Sequence, residues 1–106
     1  MYISSMKFNK LVRDKIPDII KKNGDVPITH IASEKEFETK LHEKLREEID
    51  EFLKEENEDE LADIFEVIDE ICRYHGFSKK NIEKIQKKKA EYRCSFTKRI
   101  ILDETK

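Results

Sequence analysis

The chain has 106 residues, of which 43% are charged and 37% hydrophobic, with only 2 glycines and 2 prolines. This length allows one small domain over residues 1–106, and the scarcity of turn-forming residues favours long helices over a β fold. The net charge of −2 does not indicate a general affinity for nucleic acid, and the absence of a signal peptide or a long apolar run predicts a cytoplasmic protein that does not contact membranes.

The first third of the chain predicts an irregular arm, a short helix and a short strand. The arm covers residues 1–9, where no periodicity is present. A helix is predicted over residues 14–23, with Asp14 as its N-cap, Pro17 tolerated in its first turn and a glycine after its end. Residues 26–31 alternate and include β-branched side chains, a pattern typical of a strand.

The remainder of the chain predicts three longer helices. Capping-box patterns at residues 33–36 and 57–60 mark the starts of the second and third helices, whose apolar residues repeat every 3.6 positions. Gly76 ends the third helix, and a strongly basic fourth helix follows over residues 78–93. Residues 99–102 predict a second short strand that can pair with the first. The expected fold is an all-α helical bundle with two short strands.

The turn between the second and third helices predicts an antiparallel helix hairpin, and this hairpin carries two acidic clusters. At about 100° per residue, Glu48 falls inside the apolar stripe of the second helix and Glu51 falls at its edge. On the third helix Glu60 falls inside the stripe and Asp63 on its flank. Burying an unpaired carboxylate costs several kcal/mol. Because the four side chains lie at overlapping heights, they predict a site for a hard cation.

The residues alone leave two alternatives open for these acids. Glu48 and Glu60 could pair with lysines such as Lys44 and Lys84. A di-iron site is the second alternative, but the Glu-x-x-His motif of such bundles is absent. The chain's three histidines are interpreted as ordinary surface or core residues rather than ligands; they are His30, His42 and His75.

The two cysteines, Cys72 and Cys94, lie far apart and neither belongs to a CxxC pair. A zinc site is therefore not expected. We interpret them as two free thiols in a reducing compartment.

Four motifs in order resemble one enzyme family over nearly the whole chain. Glu-Glu-x-x-Glu occupies residues 47–51 and Glu-x-x-Asp occupies residues 60–63, with an Asn-Lys-Leu-Val-Arg-Asp-Lys-Ile-Pro opening at residues 9–17 and a basic end at residues 89–93. This combination is similar to the MazG-like, all-α nucleoside triphosphate pyrophosphohydrolase superfamily, above all its phosphoribosyl-ATP pyrophosphohydrolase-like branch. Two features depart from the pattern. The spacing between the acidic motifs is short, and residues 94–95 replace the small glycines of relatives.

The resemblance implies a set of site residues. Glu48, Glu51, Glu60 and Asp63 would bind Mg²⁺, with Mn²⁺ as a substitute, and Glu47 together with Glu48 would have the catalytic roles. The residues implied to bind the substrate are Asn9, Lys10, Arg13, Lys15, Lys89 and Arg93.

The activity that the resemblance implies is hydrolysis of a nucleotide between its α and β phosphates, which releases a nucleoside monophosphate and pyrophosphate. Relatives form dimers or tetramers, so a homo-oligomer is expected. Two alternatives stay open: the phosphoribosyl-ATP pyrophosphohydrolase of histidine biosynthesis, and a helical oligomerisation or regulatory module without catalysis.

Overall fold

Four helices make up the regular structure of residues 7–106, the part of the chain that the computed structural model describes. The helices are α1 at Ile16–Lys22, α2 at Glu34–Lys54, α3 at Glu58–His75 and α4 at Lys79–Arg93. These residues contain no strand, so the described chain is all-α as predicted. Residues 7–9 are irregular, as expected of the predicted arm, while residues 1–6 of that arm lie outside the described residues.

The two predicted strands are wrong. Residues 26–31 and residues 99–102 have no regular structure. β-branched residues favour a strand only where a partner strand and a half-buried surface exist. Val26 and Ile28 are 85% and 96% exposed, and Pro27 has no backbone N–H to donate to a ladder. The alternating pattern of residues 26–31 therefore does not produce a strand, because no partner strand pairs with it within residues 7–106.

The predicted start of α1 also needs a correction. The helix begins at Ile16, with Lys15 rather than Asp14 as the N-cap residue, and no side chain caps it. Pro17 lies in the first turn, where its missing N–H leaves no hydrogen bond unmade. A glycine at φ 92° follows the helix end, at a backbone angle that favours glycine.

The other three helix starts are confirmed, and each has a side-chain cap. The backbone N–H of Glu36 donates to Ser33 Oγ at 3.2 Å, and the N–H of Glu60 donates to Asn57 Oδ1 at 2.9 Å. At α4 the corresponding cap is Ser78. Such caps satisfy backbone donors that a helix leaves without partners in its first turn. The Asn57 cap matters most here because it fixes the turn that carries an acid of the candidate site.

The chain divides into two compact units, and the boundary falls inside α3, between Ile71 and Cys72. The first unit contains α1, α2 and most of α3. The second contains the end of α3, α4 and the C-terminal segment. The expectation of a single domain over residues 1–106 stays a prediction.

The well-buried apolar side chains are few among the described residues. Leu41 and Val67 are 2% and 7% exposed in the first unit, and Cys72 is 6% exposed in the second. By contrast, five large apolar side chains of α2 and α3 are between 38% and 63% exposed. They are Ile49, Leu53, Leu61, Phe65 and Ile68. The apolar stripes of these helices are therefore covered only in part.

Both cysteines are free thiols, as predicted. Cys72 is buried and Cys94 is exposed.

The lengths and the polarity of the helices can be compared with those of a membrane-spanning helix. Within residues 7–106, no helix combines the length and the apolar character that crossing a bilayer requires.

Candidate metal centre

Helix α2 places one acid against the interior of the first unit. Glu48 follows Leu41 by seven residues, which is about two helical turns, so both side chains leave the helix on the same side. Leu41 is the most buried side chain described, and Glu48 is only 9% exposed. The predicted intrusion of Glu48 into the apolar stripe is confirmed.

Helix α3 supplies two more acids from its first two turns. Glu60 lies in the turn that Asn57 caps, and Asp63 follows it by three residues, on a neighbouring position of the same face. Glu48, Glu60 and Asp63 each offer one carboxylate oxygen, and these oxygens all lie within 4.8 Å of one another. We refer to these three residues as the acid cluster.

The pKa of the Glu60 carboxyl is raised above its ordinary value. Partial burial, which disfavours the charged form, is the largest cause. Repulsion by the carboxylates of Asp63, Glu51 and Glu48 adds to it, in that order. The cluster therefore opposes its own ionisation, and a bound cation would relieve that opposition.

Two lysines partly neutralise the α2 side of the site. Lys44 Nζ lies 3.3 Å from Glu48 Oε1 and 3.6 Å from Glu47 Oε1. Lys10 Nζ donates to Glu47 Oε1 at 3.1 Å. The pairing of Glu48 with Lys44, which the sequence left open, is thus present, and it provides one countercharge to a nearly buried carboxylate.

An arginine neutralises part of the α3 side. Arg13 Nη2 donates to Asp63 Oδ1 at 2.8 Å, and the two side chains are 58% and 42% exposed. The ion pairs of these three cations, within residues 7–106, do not include Glu60. Three cations therefore stand against four carboxylates, those of the acid cluster and Glu47, and the group keeps a residual negative charge.

The fourth predicted ligand behaves differently from the other three. Glu51 is exposed and does not belong to the acid cluster. Its charge nevertheless contributes to the raised pKa of Glu60. Glu47 likewise stands outside the acid cluster, held by Lys10 and Lys44 at its edge.

The six predicted substrate-binding residues have different surroundings. Lys10 and Arg13 reach the acidic side chains as described above. The backbone carbonyl of Asn9 accepts from Lys40 Nζ at 2.7 Å, and Lys15 is the N-cap residue of α1. Lys89 and Arg93 lie on α4 in the second unit, where both are exposed.

Sequence reasoning missed three contacts that join the segment before α1 to α2 and α3. Lys40 and Asn9 are 31 positions apart, Lys10 and Glu47 are 37 apart, and Arg13 and Asp63 are 50 apart. A local pattern carries no signal for such pairs, because the pairing depends on how the chain folds back.

The donor set of the acid cluster fits a hard divalent cation. All three donors are carboxylate oxygens, the ligands that Mg²⁺ and Mn²⁺ prefer, and no sulfur or imidazole is among them. Oxygens this close can converge on one ion after small side-chain rotations. One member of the set, Glu48, is nearly buried, and Lys44 provides its countercharge within the protein.

Glu60→Gln is expected to raise the melting temperature of the metal-free protein at pH 7. A carboxyl whose folded-state pKa is raised destabilises the fold above that raised pKa, and the penalty disappears as the pH falls below the ordinary value of 4.5. Thermal unfolding in EDTA at pH 7 and pH 4 measures this effect. The matched control is Asp59→Asn, which removes a charge from the same helical turn outside the cluster.

At pH 7 we expect the Glu60 variant to melt above the Asp59 variant, and at pH 4 we expect this gap to close. A Glu60 variant that melts below the control at pH 7 would contradict the raised pKa of this carboxyl.

Comparisons with known proteins identify no relative: no protein-family model, no curated protein and no solved structure matches the chain.

Proposed function

We propose that the protein is a Mg²⁺-dependent nucleotide pyrophosphohydrolase, which adds water across the bond between the α and β phosphates and releases a nucleoside monophosphate and pyrophosphate. The observation that carries the proposal is the acid cluster, three carboxylates from two helices whose oxygens lie within 4.8 Å of one another. Membership of the MazG-like superfamily is part of the proposal and rests on the motifs at residues 9–17, 47–51, 60–63 and 89–93.

Glu48, Glu60 and Asp63 would hold the cation, and Glu51 would approach it only after a side-chain movement. Mg²⁺ favours a site of a few carboxylates that leaves positions for water and for substrate phosphate oxygens. Mn²⁺ accepts the same ligands and would replace it in experiments. When bound, the ion supplies charge stabilisation on the phosphates and lowers the pKa of a water molecule.

The neighbouring side chains would complete the reaction site. Glu47, at the edge of the cluster, is suited to accept a hydrogen bond from the attacking water, and its carboxylate lies within ion-pair distance of Lys10 and Lys44. Phosphoryl groups in the transition state need cations beyond the metal. Arg13 is the nearest such group, because it already reaches Asp63.

The other residues proposed to contact the substrate lie before α1 and on α4. Asn9 and Lys15 flank Lys10 and Arg13 in sequence and would position the same phosphates. Lys89 and Arg93 share one face of α4, since they are four residues apart, and their charges suit them to phosphate. The alternative substrate is phosphoribosyl-ATP. It differs from a nucleoside triphosphate in the base and sugar part that the site would have to accept.

We further propose that α2 and α3 form an antiparallel hairpin within a helical bundle and that the hairpin is completed by a second copy of the chain. Five large apolar side chains on these helices are 38% to 63% exposed, and burying apolar surface is the main driving force of association. A dimer or a tetramer would cover these side chains. Two free thiols fit the reducing conditions of the proposed cytoplasmic location.

Light scattering at micromolar concentration is expected to give at least twice the chain mass of 12.7 kDa. Phe65→Glu replaces one of the five exposed apolar side chains by a charge and is expected to shift the protein towards the monomer. Glu66→Gln, one position further along α3, serves as the control. A wild-type protein that stays monomeric at every concentration tested would contradict the proposed association.

The same five exposed apolar side chains favour one rival function, a helical oligomerisation module without catalysis. This rival explains the apolar surface but gives no reason for three carboxylates to converge. The two functions differ in one observable: a module would bind no divalent cation and release no product from nucleotides.

A substrate panel tests the proposed activity. Canonical and modified nucleoside triphosphates and phosphoribosyl-ATP are incubated with Mg²⁺, and phosphate is detected with and without added inorganic pyrophosphatase. The proposal predicts phosphate only when the pyrophosphatase is present. Phosphate released without it would contradict cleavage at the α–β bond. No release from any substrate by folded protein would favour the module.

A further inference from the structure

Arg13 contacts a carboxylate that a cation in the acid cluster would also use. Its guanidinium donates to Asp63 Oδ1 at 2.8 Å, and Asp63 is one of the three residues of the acid cluster. One carboxylate of the cluster is therefore paired with a cation of the protein itself.

The charges around the cluster predict that a bound divalent ion would loosen the protein's own cations. Lys10, Arg13 and Lys44 balance three of the four carboxylates formed by the acid cluster and Glu47. A divalent ion would turn the residual negative charge of this group into a positive one, which weakens the attraction for each of the three cations, while the charge of Glu51 nearby remains.

Arg13 is the least restrained of these three cations. Lys44 is only 17% exposed and bridges two acids of its own helix. Lys10 pairs with Glu47, which is not a member of the acid cluster. Arg13 is 58% exposed and contacts a cluster member directly. A guanidinium released from Asp63 can form paired hydrogen bonds to phosphate oxygens, for which its planar fork is well suited.

We propose that Arg13 is an exchange residue: it neutralises Asp63 in the metal-free protein and transfers to a phosphate of the substrate when the cation binds. This inference rests on the proposed metal-dependent function and adds an order of events to it. The contact between Arg13 and Asp63 opposes binding of the metal alone, whereas the same side chain strengthens binding of the metal together with phosphate.

A change of sign between two binding measurements is the expected signature. For Arg13→Gln, Mn²⁺ alone is expected to bind about 2- to 5-fold more tightly, because a surface ion pair that competes with it is removed. The preformed Mg²⁺–pyrophosphate complex is expected to bind about tenfold more weakly, because a charge-assisted hydrogen bond to phosphate is lost. Mn²⁺ binding is followed by electron paramagnetic resonance, and the pyrophosphate complex by calorimetry.

Two further variants separate the contact from general charge effects. Lys21→Gln removes an equal charge from an exposed position near the end of α1 and is expected to change both affinities less than twofold. Arg13→Lys keeps the charge but loses the planar fork. It is expected to bind Mn²⁺ as the wild type does and to bind the pyrophosphate complex more weakly.

Each outcome decides the inference. The change of sign, confined to Arg13→Gln, supports the exchange. Equal Mn²⁺ affinity in Arg13→Gln and the wild type overturns the exchange but leaves the metal site standing, and weaker binding in both measurements overturns it in favour of a structural role. Mn²⁺ binding to none of the folded proteins contradicts the proposed function itself, and the exchange with it.

Discussion

Glu48→Gln is expected to lower the Mg²⁺-dependent release of pyrophosphate by about 100-fold or more. Glu48 is the most buried member of the acid cluster, at 9% exposed, and glutamine keeps its size while removing its charge. A metal ion contributes several kcal/mol to the stabilisation of transition-state charge, and each 1.4 kcal/mol corresponds to about a tenfold change in rate. Steady-state rates at saturating nucleotide and a Mn²⁺ titration measure the two consequences.

Glu48 pairs with Lys44 whichever function is correct. Glu48→Gln therefore distinguishes the enzyme from the rival module through divalent-cation binding. In a module without a metal site, the variant would leave divalent-cation binding unchanged, because no cation binds in either protein. Glu66→Gln is the control, since this acid is exposed on α3 and stands outside the acid cluster. Full activity of the Glu48 variant, with the control also active, would contradict the assignment of this residue as a ligand.

Leu41→Ala is expected to destabilise the fold by about 2–5 kcal/mol, the usual range for removing a buried leucine side chain. Leu41 is 2% exposed, the most buried side chain among the described residues. Domains of this size are stable by about 5–15 kcal/mol in total, so the loss is a large share. Urea denaturation at one fixed protein concentration measures it, which keeps any association comparable between variants.

The same substitution links the core to the site. Leu41 lies two turns before Glu48 on one side of α2, so loosening this side also loosens the carboxylate. We expect the Leu41 variant to lose Mn²⁺ affinity in parallel with stability. Thr39→Ala, at an exposed position of the same helix, is expected to change the free energy of unfolding by less than about 1 kcal/mol. A Leu41 variant as stable as this control would contradict the importance of this small core.

The starts of three helices could be predicted because capping is local. Ser33, Asn57 and Ser78 each accept from a backbone N–H three residues ahead, and the residues involved stand together in the sequence. The predicted start of α1 is wrong. Asp14 and Lys15 are two consecutive polar residues, so the sequence alone does not determine which of them occupies the N-cap position.

The acid cluster was predictable in part, for a similar reason. The helical wheel placed Glu48 correctly because its position relative to the apolar stripe of α2 is a property of the helix alone. It did not show that Glu51 is exposed, because that depends on how α2 rolls against its neighbours. The countercharge from Arg13 was out of reach for a pattern, since its partner Asp63 lies 50 residues away.

The failed strands show the opposite situation. Residues 26–31 and 99–102 have good strand composition, but a strand is formed by pairing and not by composition alone. Within residues 7–106 neither segment forms a ladder, and several of their apolar side chains stay largely exposed, with Ile28 at 96% and Ile101 at 78%.

Diffraction from crystals soaked in Mn²⁺ tests the central claim most directly, because the anomalous signal locates the ion without assumptions about the substrate. The metal site predicts one strong anomalous peak about 2 Å from carboxylate oxygens of Glu48, Glu60 and Asp63, which disappears in crystals of Glu48→Gln. A peak bound elsewhere on the chain, or no peak at a concentration that saturates other Mn²⁺ proteins, would contradict it.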